Sequence, residues 1–299
     1  MQHQEPDRIP VASHSEMPAH RLWIGGGGSI QPWEMELATG ALRSTASAID
    51  VDGAGGFLEP SVDGLAIYAT ANVGAAAFSV DPTTGALTHI NTMESELGGN
   101  PHISLLAGEG EIGPWEAVVL SSYGGGGTSI LRVNPEDRSL ASGSSASHGE
   151  TGSGVDPGRQ EAPHPHSAFV APSTGSAGRV VVSDLGTDEL IAYDVDGPGG
   201  RLTCVSTFAS NPGAGPRHLC FHPNSQWIYS INELDCTMTV LSYSAETGAL
   251  GPALQTLSTL PDGYDFRNHS SGTALNAEGG PASGPNSSGD FGNKAHVGT

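Results

Sequence analysis

The chain has 299 residues, more than a fifth of them Gly (43) or Pro (21), and its Lys+Arg count of 11 against Asp+Glu 32 leaves a formal net charge of -21. Nucleic acid and anionic membrane both require a basic footprint, so this balance excludes them as partners. No apolar run reaches the roughly twenty residues of a membrane helix, and the opening MQHQEPDRIPVASHSEMP lacks the apolar stretch of a secretory leader; a cytoplasmic setting is the expectation.

In chain order, residues 1–19 read as a disordered N-terminal segment, followed over 20–267 by a repeating unit. Each copy has a turn, an alternating apolar strand, a polar turn and a second strand, and closes on Gly-x-Leu or a near variant. The first copy, RLWIGGGGSIQPWEMELATGAL, closes at Leu42, and LAIYATANVGAAAFSVDPTTGAL closes at Leu87. GPWEAVVLSSYGGGGTSILRVNPEDRSL ends at Leu140, GRVVVSDLGTDELIAYDVDGPGGRL at Leu202, and QWIYSINELDCTMTVLSYSAETGAL at Leu250. The closing leucines recur at roughly forty-five to sixty residues, the length of a four-stranded propeller blade. Alternation in RVVVSD and SILRV argues strand, and no segment has helical periodicity. The sequence therefore predicts an all-β fold, a β-propeller of four-stranded blades with about five of them recognisable. Residues 141–163, rich in Gly and Ser, read as a flexible loop insertion. Residues 268–299 read as a low-complexity disordered tail, too poor in apolar residues to offset the entropy of ordering.

Chemistry is sought at the strand starts, because equivalent starts converge on the mouth of a propeller channel. Three carry histidine: NPHISL (His102), PHPHSAFV (His164 and His166) and GPRHLCF (Arg217 and His218). His102, His166 and His218 read as equivalent positions of successive units. In GAGPRHLCFHPNSQWIYSINELD, Arg217 begins one strand and Glu233 follows the next, so an antiparallel pair returns them to one sheet edge. With so few cations in the chain, an arginine in a neutral Gly/Pro/His-rich segment is worth following. The glycine runs Gly25–Gly28 and Gly124–Gly127 lack the Lys-Ser/Thr of a phosphate-binding loop and read as tight turns. GxSxG is absent. His164 and His166, with His218 or His222, have no acidic or cysteine partner at metal-ligand spacing, so no metal is expected. Cys204, Cys220 and Cys236 sit in or beside apolar stretches and read as structural.

The run PHPHSAF…GRVVVSDLGTDELIAYDVD, then GAGPRHLCFHPNSQWIYSINELDCTMTV and LSTLPDG, resembles the lactonase family of seven-bladed propellers, which includes 6-phosphogluconolactonases and carboxymuconate lactonising enzymes. The likeness is nearly continuous over 163–263 and looser over 22–140. It implies a catalytic histidine at His166, a substrate-binding arginine at Arg217 and an acidic partner at Glu233, with His164 in the same motif; His164, and by their strand-start positions His102 and His218, are the substrate-binding candidates. The family continues with two further blades, whereas LPDGYDFRNHSSGTALN departs from its pattern, and Arg267 is no replacement for an arginine from those blades. The resemblance implies hydrolysis of a sugar lactone, 6-phosphogluconolactone by analogy, with a small phosphorylated lactone as partner and no cofactor. The alternatives are a muconate-type cycloisomerase using the same residues, and a non-catalytic binding propeller or inactive remnant.

Overall fold

The computed structural model describes residues 19–51, 53, 55–99, 101–110, 113–174, 178–197 and 200–261, with short stretches at 269–270, 274–275, 281–282, 286–287 and 295–297. Of the segments expected to be disordered, 1–18 lie outside these residues, and 268–299 contributes only the short stretches just named. The described chain is all-β and forms five blades. Blade 1 contains β1 (Ala19–Gly26), β2 (Ser29–Glu36), β3 (Leu42–Ser44) and β4 (Ile49–Asp50), with β3 and β4 both pairing with β2. Blade 2 is β5 (Leu58–Pro60), β6 (Ala66–Ala71), β7 (Gly74–Val80) and β8 (Leu87–Glu94). Blade 3 is β9 (His102–Gly110), β10 (Gly113–Ser122), β11 (Gly127–Val133) and β12 (Leu140–Ser147). Blade 4 is β13 (Pro165–Val170), β14 (Gly178–Asp184), β15 (Glu189–Val195) and β16 (Leu202–Ala209). Blade 5 is β17 (Pro216–Phe221), β18 (Trp227–Asn232), β19 (Thr237–Tyr243) and β20 (Leu250–Ser258).

Blades 2 to 5 are antiparallel meanders in sequence order. Farther along, β21 (His269–Ser270) pairs with β24 (Asn286–Ser287), and β22 (Ala274–Leu275) with β23 (Pro281–Ala282). A last strand, β25 (Ala295–Val297), adds antiparallel to the free edge of β1.

The closing leucines each open a blade's outermost strand, at Leu42, Leu87, Leu140, Leu202 and Leu250. In blades 1, 2, 3 and 5 the turn before them is the same device. Gly40, Gly85 and Gly248 donate their N–H groups to the carbonyls of Glu36, Asp81 and Ser244, each at 2.8 Å, and all three have φ of 71–75°. That left-handed backbone favours glycine. Blade 3 puts Arg138 there at φ 65°, and its guanidinium binds Asp63 of blade 2 at 2.5 Å and Glu116 at 3.4 Å.

Packing explains why the middle strands are apolar on both faces. Val180 and Val182 of β14 pack against Val119 and Ile130 of blade 3, while Val181 between them packs against Leu219 and Ile228 of blade 5. Likewise Val118 and Leu120 face Tyr68 of blade 2, and Val119 faces blade 4. Period-two alternation thus serves two neighbours at once, and the run reads as continuously hydrophobic. Four such cores join the five blades. Outer strands lie at the rim and tolerate polar residues. Accordingly residues 141–147, expected within a loop, form most of β12, and the connection proper is 148–164.

Candidate active site

The first strands β5, β9, β13 and β17 line the channel, and their starts surround a cavity of about 550 Å3. Two rings of equivalent positions line it. Gly56, Pro101, His166 and Arg217 supply one; Asn72, Tyr123 and Glu233, each just past the end of a second strand, supply the other. His166 and Arg217 share a backbone device. Pro165 pairs with Asp184 and Ser167 with Ser183, leaving His166 as an extra residue; Pro216 pairs with Asn232 and His218 with Ile231, leaving Arg217 extra. Both are β-bulge residues, and a bulge re-aims a side chain that the pleat would otherwise direct elsewhere. The two bulges are joined, because the Ser167 hydroxyl donates to the Arg217 carbonyl at 2.7 Å.

Arg217 and Glu233, paired from the sequence, meet here: Nε donates to Oε2 at 2.9 Å. Burial lowers the pKa of the Arg217 guanidinium, and the Glu233 charge and hydrogen bond oppose that effect. The Glu233 side chain is itself 7% exposed, and its amide donates to Gly215 O at 2.8 Å. Gly215 has φ 63°, and a Cβ there would meet Leu234 Cγ at 2.5 Å, so this approach to Arg217 requires glycine.

A second arginine shares the glutamate. Arg159 Nη2 donates to Glu233 Oε1 at 2.9 Å, and its Nε to the Tyr123 hydroxyl at 3.2 Å. Burial works against its charge, but the bonds to Tyr123 and Glu233 and the Glu233 carboxylate hold its pKa above the usual arginine value. Sequence reasoning passed over Arg159, because it lies in the segment read as a flexible insertion. The rule that drew attention to Arg217, a rare cation in a Gly/Pro/His-rich stretch, applies equally to VDPGRQEAPHPH.

The other predicted residues lie behind the cavity. His102 opposes Ser121 and His218 opposes Ile231, each the last-but-one residue of its second strand, whereas Ser167 holds that register in blade 4. His102 and His218 are therefore equivalent, and His166 sits one position earlier, matching Arg217; the expected three-histidine equivalence is corrected because the bulges shift the count. His102 is 1% exposed, and its ring lies 4.2 Å from Phe57 and 4.6 Å from Phe169. His218 is buried in the same layer, 5.5 Å from His102 and 5.4 Å from His166. His164 stacks on Tyr123 at 4.3 Å, and its ring nitrogens contact Tyr123 O at 2.8 Å and Glu161 Oε1 at 2.9 Å. Among the described residues no group of three or more His, Cys, Asp or Glu side chains is arranged to hold a metal ion.

Radial four-stranded blades with a cavity at the channel mouth, furnished with a histidine, two arginines and a glutamate, define a β-propeller with a polar ligand site. The chain belongs to the lactonase, seven-bladed β-propeller family, whose profile matches residues 12–280. A 6-phosphogluconolactonase of Bacillus subtilis is 34% identical over 203 residues, which cover 68% of this chain and 53% of that one. An uncharacterized protein of Lactococcus lactis is 40% identical over 129 residues, 43% of this chain and 36% of its own. The chain thus spans between about a third and about half of these relatives. Among solved structures, one described as a putative 6-phosphogluconolactonase from Bacteroides fragilis superposes with a TM-score of 0.72 at 23% identity, covering 91% of this chain and 74% of that one. The periplasmic gluconolactonase of Pseudomonas aeruginosa gives 0.72 at 24%, with coverage of 88% and 74%. At these identities the solved structures support the propeller fold.

Proposed function

We propose that the cavity hydrolyses a sugar lactone, with 6-phosphogluconolactone as the substrate. The observation that carries this reading is the placing of His166 and Arg217 on matching bulges of adjacent blades, with Glu233 bound to the arginine. The name of the Bacillus subtilis relative supports the choice of substrate.

In the reaction His166 accepts a proton from water as its oxygen attacks the lactone carbonyl carbon. Negative charge develops on the carbonyl oxygen, and the partly buried Arg217 guanidinium stabilises it. Collapse of the tetrahedral intermediate breaks the ring C–O bond, and protonated His166 returns its proton to the departing alkoxide. The products are the open acid and a regenerated histidine. Glu233 keeps Arg217 charged and fixes its direction.

The test is the opening of 6-phosphogluconolactone, followed by proton release and compared with the spontaneous rate. Acceleration by the purified protein, lost in Arg217→Ala, is expected. An unchanged rate with folded protein sinks the reading.

A further inference from the structure

Arg159 lies outside the repeat, yet its place is strongly determined. Its loop, residues 148–164, runs from blade 3 to blade 4 over a buried polar floor. Gln160, fully buried, donates Nε2 to Leu185 O at 2.9 Å and to Asp188 Oδ1 at 2.8 Å, while its Oε1 accepts from Asp156 N at 3.1 Å. Asp188 also accepts from Gly213 N and Gly215 N, both at 2.7 Å. One buried carboxylate therefore fixes both the loop that carries Arg159 and the segment that leads into Arg217. At the start of the loop His148 Nδ1 contacts Asp184 Oδ2 at 2.7 Å, with both side chains fully buried. An arginine on a backbone secured in this way is preorganised for a ligand.

Among the described residues lining the cavity, Arg159, Arg217 and Glu233 are the charged ones. Two guanidiniums against one carboxylate leave a surplus of one positive charge, inside a chain whose formal net charge is -21. An anion completes such a site, and the planar guanidinium fork suits a phosphate or carboxylate group. Arg217 sits on the inner strand beside His166, whereas Arg159 reaches in from the loop and is the more exposed of the two, 31% against 21%.

We infer that Arg159 is the specificity residue of the cavity, the cation that takes an anionic group of the ligand remote from the carbon under attack. This rests on the lactonase reading and divides the arginines by duty: Arg217 serves the developing oxyanion and Arg159 the remote anion.

The experiment compares 6-phosphogluconolactone with uncharged glucono-1,5-lactone in the wild type, Arg159→Gln and Arg159→Lys, after melting curves establish folding. Arg159→Gln is expected to lower kcat/KM on the phosphorylated lactone about 10- to 100-fold, chiefly through KM, since charge-assisted hydrogen bonds carry effects of that size. The loss on the uncharged lactone is much smaller than on the phosphorylated one, and Arg159→Lys recovers part of the latter. Equal losses on both lactones would make Arg159 only a support for Glu233 and overturn the inference, as would no loss on either. Should the wild type accelerate neither lactone, the lactonase reading fails by itself, and Arg159 is judged by 6-phosphogluconate binding. A rise in melting temperature in the wild type that is absent in Arg159→Gln upholds its role. Equal rises, or none in either protein, overturn it.

Discussion

Blades 2 and 3 and blades 4 and 5 present the same backbone positions to the cavity with opposite chemistry. Where the first pair offers Gly56 and Pro101, the second offers His166 and Arg217. The bulges belong to blades 4 and 5, since β9 pairs with β10 without a register shift. The repeat supplies a neutral mouth, and reactivity is a local departure from it. Its buried polar support, Gln160, Asp184 and Asp188, lies in the same half of the molecule.

The strongest way to break the contrast is to make the charged half neutral. His166→Gln keeps a polar group of similar size and removes the base, so kcat on the lactone should fall by about a thousandfold, within the range for lost general-base catalysis. Stopped-flow hydrolysis measures it, and a loss below tenfold would move the base elsewhere. The neutral half has its own ionisable group in Glu59, on the inner strand β5. Burial pushes its carboxyl up to about 7, against a hydrogen bond from the Leu105 amide. Because the folded value lies above the unfolded one, the associated stability is fully present below about pH 4.5 and is lost as pH rises through about 7. The loss approaches about 3 kcal/mol by the usual conversion of pKa to free energy. Glu59→Gln should raise the melting temperature at pH 8 and change it little at pH 4; a pH-independent effect would refute this cause.

Smaller changes sharpen the contrast. Asp188→Asn turns an acceptor of three hydrogen bonds into an amide facing donors and should cost about 2 kcal/mol in urea unfolding, the scale of an unsatisfied buried group. It should also disturb both arginines at once, so activity on phosphorylated and uncharged lactones falls together. Ser167→Ala cuts the tie between the bulges and should cost about 1 kcal/mol, the net worth of one hydrogen bond. A change in kcat larger than that in stability would show that the tie also aims Arg217.

Much of this was legible in the sequence, for physical reasons. The turn ending in Gly-x-Leu is a local conformation, so the leucines counted the blades, although each opens an outer strand instead of closing the unit. Runs such as VVVSD announced strands, and the structure adds that both their faces are buried. Arg217 and Glu233 were placed together because an antiparallel pair returns to its starting edge. Arg159 was missed since its position depends on Asp188 and Gln160 meeting across 28 residues, which no periodicity records. The alignment of His102 with His166 failed by one position, because counting along a strand assumes an unbroken ladder.

The bulges carry a further consequence for how such a protein changes over generations. A bulge residue is one more than the strand pairing requires, so the ladder on either side of His166 or Arg217 closes equally well without it. Loss of a single codon at either position would erase the reactive group and leave the blade's hydrogen bonds and both its cores in register. In this scaffold chemistry can be gained or shed by a change of one in the residue count, while the architecture that sequence comparison recognises stays as it was.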